Sequence, residues 1–389
     1  MKKIFIIGGG IAALEAAKSA RSTQRDALIV LISAENFLPY SRPMLTKQLM
    51  GKVTAQDLAV ESAAWYDEKD IVVLTGRTVT AIDPVGKTLM AGGTPFHWDS
   101  LILATGASCF VPPIPGADGA NVVAVRTFDD VARVREIAKT AKNAAVIGGG
   151  VLGLEAAWEL KKAGLEVTVL EMAPSLMGRQ LDESSGEQLK IIASKSGVVI
   201  RTGVNVEAIE GDGHVTGVRL KTGEVVEAGM VIVSAGIRAN VGLAKEMGLE
   251  VKKGVVVNEW METSVPGIYA CGDCAEYHDT NYGIWPEAVE QGKTAGANAA
   301  GDSLEYVPVP AALTFHGMNT ALFAAGDNGR NPNLYYKTVE FRDMGKEQYR
   351  KYYFLNNRLC GVILIGDVSR MAEMTQALEE HVQYQELKL

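Results

Sequence analysis

The chain has 389 residues, of which 47% are hydrophobic and 22% are charged, and its formal net charge is −8. This composition is that of a globular protein with two or three domains, large enough to bury its cores without disulfide staples. Nucleic acid is excluded as the main partner, because phosphate recognition needs clustered Lys and Arg and no basic stretch in the chain is long or dense.

Cysteine usage and the N-terminus bear on where the protein works. The four cysteines are Cys109, Cys271, Cys274 and Cys360. They are too few and too scattered for a secreted disulfide framework, so we expect a cytoplasmic protein. Met1-Lys2-Lys3 resembles the basic start of a signal peptide, but the apolar run behind it soon meets three glycines, and we interpret it as a strand. No uncharged run approaches the roughly 18 to 20 apolar residues that span a bilayer, and no membrane segment is expected.

The first 35 residues have the pattern of a βαβ nucleotide-binding half. The apolar run Ile4–Ile7 breaks into Gly8, Gly9 and Gly10, after which we predict a helix over Ala12–Arg21 and a strand over Ala27–Ile32. Backbone N–H groups at such a loop, together with the helix N-terminus, can hold a pyrophosphate. Glu35, just past the second strand, is the candidate to accept both ribose hydroxyls, with a solvated loop glutamate as the alternative.

A proline-rich segment and a buried strand follow. Pro39 and Pro43 hold a rigid path around Arg42, which is suited to a diphosphate, and Lys47 lies one turn further along. The run Leu101–Ala107 predicts a buried strand whose small last residues let the backbone approach a ligand closely. The stretch Pro112–Gly116 is typical of a linker.

The glycine pattern then repeats, which predicts a second nucleotide cofactor. The strand Ala144–Ile147 leads to the full spacing of Gly148, Gly150 and Gly153, followed by a predicted helix over Leu154–Ala163. A strand over Glu166–Leu170 then ends in Glu171, about 20 residues past the loop, where the ribose 2′-hydroxyl of NADH would lie. A 2′-phosphate would be repelled by this carboxylate, so NADH is favoured over NADPH, although Arg179 can soften the preference.

The remaining segments predict a return to the first domain and a separate C-terminal unit. The strand Met230–Ser234 runs into the small residues Ala235 to Asn240, and Ile268–Ala270 is a buried strand before Asp273, whose carboxylate can accept from a ligand hydroxyl. Trp285 stands where a loop opens a helix, whose N-terminus offers N–H donors. After Val307 shorter alternating strands and a final helix predict an α+β domain, with elements at Tyr336–Phe341, Tyr349–Phe354, Leu359–Ile365 and Ser369–Glu380.

These motifs resemble the FAD-dependent pyridine nucleotide-disulfide oxidoreductase superfamily over essentially the whole chain. Pro39–Pro43, Leu176–Asp182 and Met261–Asp273 are most similar to the branch of NADH:rubredoxin oxidoreductases and the flavin-containing part of assimilatory nitrite reductases. The resemblance implies an α/β fold with two Rossmann-like dinucleotide-binding domains and a small α+β C-terminal domain. It places FAD on residues 1–110 and 237–306, NAD(H) on 111–236, and the C-terminal domain at 307–389.

The resemblance also implies roles for individual residues. Glu35 would bind the FAD ribose, Arg42 its diphosphate and Asp273 its ribityl chain, while the backbone near Val79 would meet the adenine. The full set implied for FAD is Gly8, Gly9, Gly10, Ile11, Ala12, Glu35, Arg42, Lys47, Val79, Thr105, Gly106, Arg126, Asp273 and Trp285. The set implied for NADH is Gly148, Gly150, Leu152, Gly153, Glu171 and Gly236.

The chain departs from the disulfide reductases of this superfamily at one place. Where they carry redox cysteines, on the helix after the first ribose-binding strand, this chain has Tyr40, Ser41 and Arg42. The close pair Cys271 and Cys274 invites a thioredoxin-like or metal interpretation, but Asp273 between them matches the flavin-binding aspartate, and a tetrahedral zinc or iron–sulfur site needs a second pair. No metal is therefore expected.

The implied chemistry is hydride transfer from NADH to the flavin, followed by one-electron release to an external acceptor. By the resemblance, Lys47 and Glu155 form the catalytic pair near the flavin, and an ordinary surface or interdomain salt bridge is the alternative. The histidines His97, His214, His278, His316 and His381 lie apart in sequence and form no constellation.

The leading hypothesis is an NADH-dependent reductase of a small electron carrier, with rubredoxin favoured, acting as a monomer or homodimer. A basic docking patch for an acidic carrier would draw on Arg350, Lys351 or Arg358. The alternatives are a peroxide-forming NADH oxidase, an NADH dehydrogenase linked to ferredoxin or nitrite reductase, and a non-catalytic redox sensor. The missing redox cysteine disfavours a water-forming oxidase.

Overall fold

The structure is a computed structural model that describes residues 1–343 and 345–387. The chain divides into two compact units. The first unit comprises Met1–Met44, Lys52–Phe110 and Ile237–Val309, and the second comprises Leu45–Gly51, Val111–Gly236 and the described residues from Pro310 onward. The three predicted domains, two for FAD and NAD(H) and one at the C-terminus, stay a prediction.

Some helices of the described chain begin at side-chain caps. Helix α4 begins with a capping box of Thr127 and Asp130, and α6 begins at Asp182, whose side chain accepts from the Ser185 N–H. The helices are α1 Ile11–Thr23, α2 Met44–Lys47, α3 Ala63–Glu68, α4 Phe128–Ala138, α5 Val151–Lys162, α6 Glu183–Ser194, α7 Gly242–Glu246, α8 Trp285–Ala300 and α9 Met371–Glu379.

The strands are short and fall into several sheets. They are β1 Lys3–Ile7, β2 Leu28–Ile32, β3 Ile71–Leu74, β4 Val79–Asp83, β5 Thr88–Ala91, β6 Thr94–His97, β7 Ser100–Leu103, β8 Ala107–Cys109, β9 Val122–Val123, β10 Asn143–Ile147, β11 Glu166–Glu171, β12 Val199–Thr202, β13 Val206–Glu210, β14 Gly217–Leu220, β15 Val225–Glu227, β16 Met230–Val233, β17 Ile237–Ala239, β18 Val255–Val256, β19 Ile268–Ala270, β20 Ala275–Glu276, β21 Ala312–Gly317, β22 Thr320–Gly326, β23 Lys337–Asp343, β24 Gln348–Leu355 and β25 Arg358–Ile365.

Each unit is built on a parallel sheet. In the first unit the order is β19-β7-β1-β2-β3, and in the second it is β12-β11-β10-β16-β9. Strands β1 and β10 lie at the centre of their sheets and are almost wholly buried apolar runs, as both faces of a covered parallel sheet require. The carboxyl ends of these strands are where α/β sheets bind nucleotides.

The C-terminal part of the second unit is an antiparallel sheet in the order β21-β22-β25-β24-β23, against which α9 packs. Its core includes Phe323, Phe354 and Leu364. Together with the two parallel sheets, this confirms the predicted fold class.

Helices α1 and α8 of the first unit approach each other unusually closely. A Cβ atom at Gly292 would lie 2.4 Å from the Ala12 carbonyl oxygen, and one at Gly296 would lie 2.1 Å from that of Ala16. Larger side chains at these positions would therefore push the helices apart. The contact holds the first turn of α1 against α8.

The element bounds differ from the sequence predictions in places. Helix α1 begins at Ile11 and α5 at Val151, so each starts directly after its glycines, and the predicted run Leu101–Ala107 is broken after Leu103. The antiparallel ribbons β4–β6 and β13–β15 and the hairpin β21–β22 were not predicted. Among the described residues, no helix is both long enough and apolar enough to cross a membrane.

Candidate functional site

The first glycine loop joins β1 to α1 in a conformation that only small residues permit. Gly8 has φ +141°, and a Cβ there would lie 1.9 Å from the Ala104 carbonyl oxygen. A Cβ at Gly9 would lie 2.3 Å from Ser33 Oγ. At Gly10, the N-cap of α1, Arg42 Nε would be the neighbour nearest to a Cβ, at 4.0 Å. Ile11 and Ala12 form the first buried turn of α1, so the loop leaves open space between a helix N-terminus and an arginine.

The acidic residue after β2 is held by two neighbouring side chains. Arg42 forms an ion pair with Glu35, and Tyr40 donates its hydroxyl to Glu35 Oε2 at 2.6 Å. Arg42 also donates to the Tyr40 hydroxyl at 3.1 Å. Burial disfavours the guanidinium charge, but Tyr40, Glu35 and Asp273 outweigh it and raise the pKa of Arg42. The structure thus brings the predicted ribose, diphosphate and ribityl residues into one electrostatic cluster.

Thr105 and Gly106 lie at the turn between β7 and β8. Thr105 Oγ1 donates to the Asn240 carbonyl at 2.8 Å, and the Asn240 side chain donates back to the Thr105 carbonyl at 2.9 Å. Gly106 has φ +65°, and its carbonyl accepts from the Asn240 N–H. Asn240 therefore fixes a turn predicted to face FAD, a role that its sequence neighbours do not reveal.

Three other residues predicted to contact FAD lie elsewhere in the first unit. Val79 is the buried first residue of β4, and Trp285 is the half-buried first residue of α8. Asp273 lies in a 3-10 turn, Gly272–Cys274, whose backbone carbonyl at Asp273 accepts from the Asn281 side chain at 2.9 Å.

The second glycine loop repeats the close approach of the first. Gly148 has φ +118°, and a Cβ there would lie 2.2 Å from the Ser234 carbonyl oxygen. A Cβ at Gly153 would lie 2.1 Å from the Gly148 carbonyl oxygen, so the helix can pack on the loop only through glycine. Gly150, the N-cap of α5, has nothing within 4 Å of its Cβ position. As at Gly10, the space at the helix N-terminus is open.

Glu171 lies against this loop. Its Oε2 accepts from the Gly149 N–H at 2.5 Å and its Oε1 from the Ala173 N–H at 2.7 Å. Gly236 has φ +105°, and Arg179 Nη2 lies 3.8 Å from its Cβ position. The structure therefore brings Arg179 next to one predicted NADH residue, while Leu152, another, is 44% exposed on α5.

Lys47 and Glu155 come together within the second unit, as the sequence predicted for a pair. Lys47 Nζ lies 3.9 Å from Glu155 Oε1, and the Thr46 hydroxyl donates to Glu155 Oε2 at 2.5 Å. Glu155 is 3% exposed, and burial raises its pKa, while Thr46 and Lys47 oppose that shift. Sequence reasoning missed Thr46, whose position beside Lys47 in α2 was the available signal.

Arg126 is also part of the second unit. Its backbone N–H donates to Asp130 Oδ2 at 2.9 Å, immediately before α4. From the same helix, Arg135 donates to the Gln48 and Leu49 carbonyls at 2.9 Å, which fastens the segment that carries Lys47. Arg126 and Lys47 thus belong to a different unit from the other residues predicted to contact FAD.

The close cysteine pair is fully buried. Cys274 Sγ donates to the Leu103 and Cys271 carbonyls at 3.3 Å, and burial raises the pKa of both thiols. Thiolates are the reactive form of cysteine, so both residues are held in the inert form at neutral pH. The described residues contain no group of three or more His, Cys, Asp or Glu side chains placed to hold a metal ion.

One residue considered for a docking patch is not available. Lys351 is 8% exposed and forms ion pairs with Asp182 and Glu340 inside the second unit. It joins α6 to the C-terminal sheet and cannot offer its charge to a partner. Arg358 is exposed and Arg350 is half-buried.

Comparison with known proteins decides the family. The sequence profile described as pyridine nucleotide-disulphide oxidoreductase matches residues 2–292. The chain belongs to this family. The profile of the rubredoxin NAD+ reductase C-terminal domain matches residues 312–382. Members of this family bind FAD and NAD(P)H, and the open space at both helix N-termini fits two dinucleotides.

Three proteins that are similar to this chain show how far the likeness extends. A nitrite reductase (NAD(P)H) of Bacillus subtilis is 34% identical over 95% of the chain, which spans 46% of that relative. The NADH-rubredoxin oxidoreductase of Clostridium acetobutylicum is 28% identical over 97% of the chain and 94% of its own length. A NAD-dependent persulfide reductase structure from A. fulgidus has a TM-score of 0.91 and 28% identity, covering 100% of this chain and 79% of that one. The chain spans about half the length of the first curated relatives it matches, 46% and 49%.

Proposed function

We propose that the protein is an NADH-dependent flavoprotein reductase that passes electrons to a small electron carrier, with rubredoxin the favoured carrier. The observation that carries the proposal is that Tyr40 and Arg42 stand where disulfide reductases hold redox cysteines, and both are engaged with Glu35. The match of residues 312–382 to the rubredoxin NAD+ reductase C-terminal domain supports it, as does the end-to-end likeness to an NADH-rubredoxin oxidoreductase.

The residues of the first unit would hold FAD. The N–H groups after Gly8 and the N-terminus of α1 would bind the diphosphate with Arg42, while Glu35 would accept from the adenosine ribose and Asp273 from the ribityl chain. The Arg42 guanidinium pairs with Glu35 and so offsets the repulsion between this carboxylate and a diphosphate. When bound, FAD accepts a hydride from NADH and releases electrons one at a time.

The second unit would select NADH. Two backbone N–H groups keep the Glu171 carboxylate fixed beside the glycine loop. A fixed charge there would accept from a ribose 2′-hydroxyl and would repel a 2′-phosphate. Arg179, close to Gly236, is the residue through which some NADPH use would persist.

Lys47 and Glu155 would form the catalytic pair, with Thr46 beside them. The Glu155 carboxylate accepts from Thr46 and lies within ion-pair distance of Lys47, so it orients the ammonium group. An oriented cation stabilises negative charge that develops on a reduced ring, and it does so most strongly where water is excluded. Hydride transfer itself needs no general acid or base.

Anaerobic stopped-flow reduction with NADH tests the proposal, followed by mixing the reduced enzyme with rubredoxin, ferredoxin or oxygen. We expect rapid reoxidation by rubredoxin and slower reoxidation by the other two. Rapid reoxidation by oxygen with a sluggish response to rubredoxin would overturn it in favour of a peroxide-forming NADH oxidase. A fast response to ferredoxin alone would replace rubredoxin as the carrier. A cytoplasmic location and a monomeric or homodimeric state remain part of the proposal.

A further inference from the structure

A buried hydrogen-bond chain runs through the first unit behind the turn that carries Asp273. The Gly272 N–H donates to Gln291 Oε1 at 2.9 Å, and Gln291 Nε2 donates to the Tyr306 hydroxyl at 3.4 Å. That hydroxyl in turn donates to Glu287 Oε2. Gln291, Tyr306 and Glu287 are 3%, 4% and 1% exposed, so these side chains form their hydrogen bonds with protein groups and not with bulk water.

The near end of the chain holds the first residue of a turn whose other end is held by Asn281, which donates to the Asp273 and Ala275 carbonyls at 2.9 and 2.7 Å. Gly272 has φ +74°, and a Cβ there would lie 2.8 Å from Ala12 Cβ and 3.6 Å from Ala288 Cβ. The turn is thus enclosed between α1 and α8, and the Gly272 N–H is directed at Gln291. Since Asp273 is the next residue, any rotation of the Gly272 peptide redirects the Asp273 carboxylate.

The far end of the chain is anchored in two places. Glu287 Oε1 accepts from the Val309 N–H at 3.1 Å, and the Tyr306 N–H donates to the Glu259 carbonyl at 2.7 Å. The Tyr306 ring also stacks edge-on against Tyr277, with 5.1 Å between centroids. Glu287 ends the chain as an acceptor on both oxygens, so every donor along it has a fixed direction.

We propose that Gln291 and Tyr306 are positioning residues that hold the Gly272–Asp273 turn and so aim the Asp273 carboxylate at the ribityl chain of FAD. The inference rests on the proposed role of Asp273 in FAD binding. Gln291 and Tyr306 do not touch the cofactor in this scheme, and they act through Asp273.

The experiment compares Gln291→Met and Tyr306→Phe with Tyr277→Phe, whose ring belongs to the same cluster but whose hydroxyl is not part of the chain. FAD dissociation from the holoenzyme is followed by the rise in flavin fluorescence, and the visible circular dichroism of bound flavin is recorded. Hydrogen exchange of the peptide that contains Gly272 is measured in the apoprotein. We expect Gln291→Met to speed dissociation about tenfold and Tyr306→Phe less, with faster exchange at Gly272 and an altered flavin spectrum. Tyr277→Phe should match the parent protein.

A double-mutant cycle with Asp273→Ala separates positioning from general weakening. If Gln291 acts through Asp273, adding Gln291→Met to Asp273→Ala should change FAD dissociation little, whereas independent structural damage would add in full. Additive effects, or an unchanged dissociation rate in Gln291→Met, would overturn the inference. If Asp273→Ala itself leaves FAD dissociation unchanged, the proposed role of Asp273 fails instead.

Discussion

The two glycine loops have the same backbone geometry but hold their acidic residues differently. Gly8 and Gly148 both adopt positive φ against a carbonyl oxygen, and Gly10 and Gly150 both cap a helix. After the first loop, Glu35 is held by the Arg42 and Tyr40 side chains, whereas after the second, Glu171 is held by two backbone N–H groups. One carboxylate is paired with a cation, and the other is held by neutral backbone donors.

The helices after the loops also differ in the partners of their glutamates. The fifth residue after the third glycine of each triplet, Gly10 or Gly150, is a glutamate: Glu15 in α1 and Glu155 in α5. Glu15 pairs with Lys18 on its own helix at 3.0 Å, while the more deeply buried Glu155 is met by Thr46 and Lys47 from a distant segment. A repeated sequence pattern therefore does not imply a repeated role, because the partners come from segments that the repeat does not contain.

The largest effect is expected from placing a side chain in each glycine loop separately. Gly8→Ala should abolish FAD binding, while Gly148→Ala should retain FAD but lose reduction by NADH, each with a loss of about 3 kcal/mol in unfolding free energy from backbone strain and overlap. The flavin absorbance of the purified variants and urea unfolding measure both effects. Gly242→Ala is the matched control, because a Cβ there meets open space and its φ is not positive. Normal NADH reduction in Gly148→Ala would contradict the assignment of the second loop.

The next effect concerns the two carboxylates. Glu171→Gln removes the charge that would repel a 2′-phosphate, and the ratio of kcat/KM for NADH to that for NADPH should fall about tenfold or more. Steady-state assays with both nucleotides measure it. Glu35→Gln is the control: it should weaken FAD binding and leave the nucleotide ratio unchanged. An unchanged ratio in Glu171→Gln counts against its ribose role.

A smaller effect is expected at the glutamate after the second loop. Lys47→Met leaves Glu155 without its cation, and anaerobic reduction by NADH should slow about tenfold, because an oriented charge at the reacting ring is lost. Stopped-flow absorbance of the flavin measures the rate. Lys139→Met breaks an exposed ion pair with Glu136 elsewhere in the second unit and should not change it. If both variants reduce at the parent rate, the Lys47–Glu155 pair is only a structural salt bridge.

The smallest effect is a pH dependence of opposite sign for two acids of the second unit. Burial raises the pKa of Glu155, so the stability it contributes is full below its unfolded pKa and is lost as pH rises through its folded pKa. Burial also opposes ionisation of Asp182, but hydrogen bonds from Lys351 and Ser185 hold its pKa below the ordinary value. Its contribution is present above the unfolded pKa and is lost as pH falls through the folded one.

Urea unfolding from about pH 3 to about pH 8 tests this difference. The free energy of unfolding of the parent minus that of Glu155→Gln should fall as pH rises, and the corresponding difference for Asp182→Asn should rise. If the two free-energy differences change with pH in the same direction, the pKa values of Glu155 and Asp182 are not shifted in opposite directions.

The sequence was sufficient for elements whose pattern is local. The strands β1 and β10, the glycine loops and the helices after them follow from apolar runs that end in glycine, and the structure confirms the fold class built on them. The ribbons β4–β6 and β13–β15 were missed because much of their surface is exposed and they lack a continuous apolar run. Contacts between distant segments, such as Thr46 with Glu155, leave no periodic signal. The roles assigned to the individual site residues stay predictions.

The close approach of α8 to α1 limits how the first unit can change by mutation. At Gly292 and Gly296 the atoms that leave no room for a side chain are the carbonyl oxygens of Ala12 and Ala16, which are backbone. A substitution on α1 can make a side chain smaller, but it cannot remove a backbone carbonyl oxygen. Damage at these two glycines therefore has no suppressor on the facing helix, and in a random library we expect reversion to glycine to be the main route back to a folded first unit.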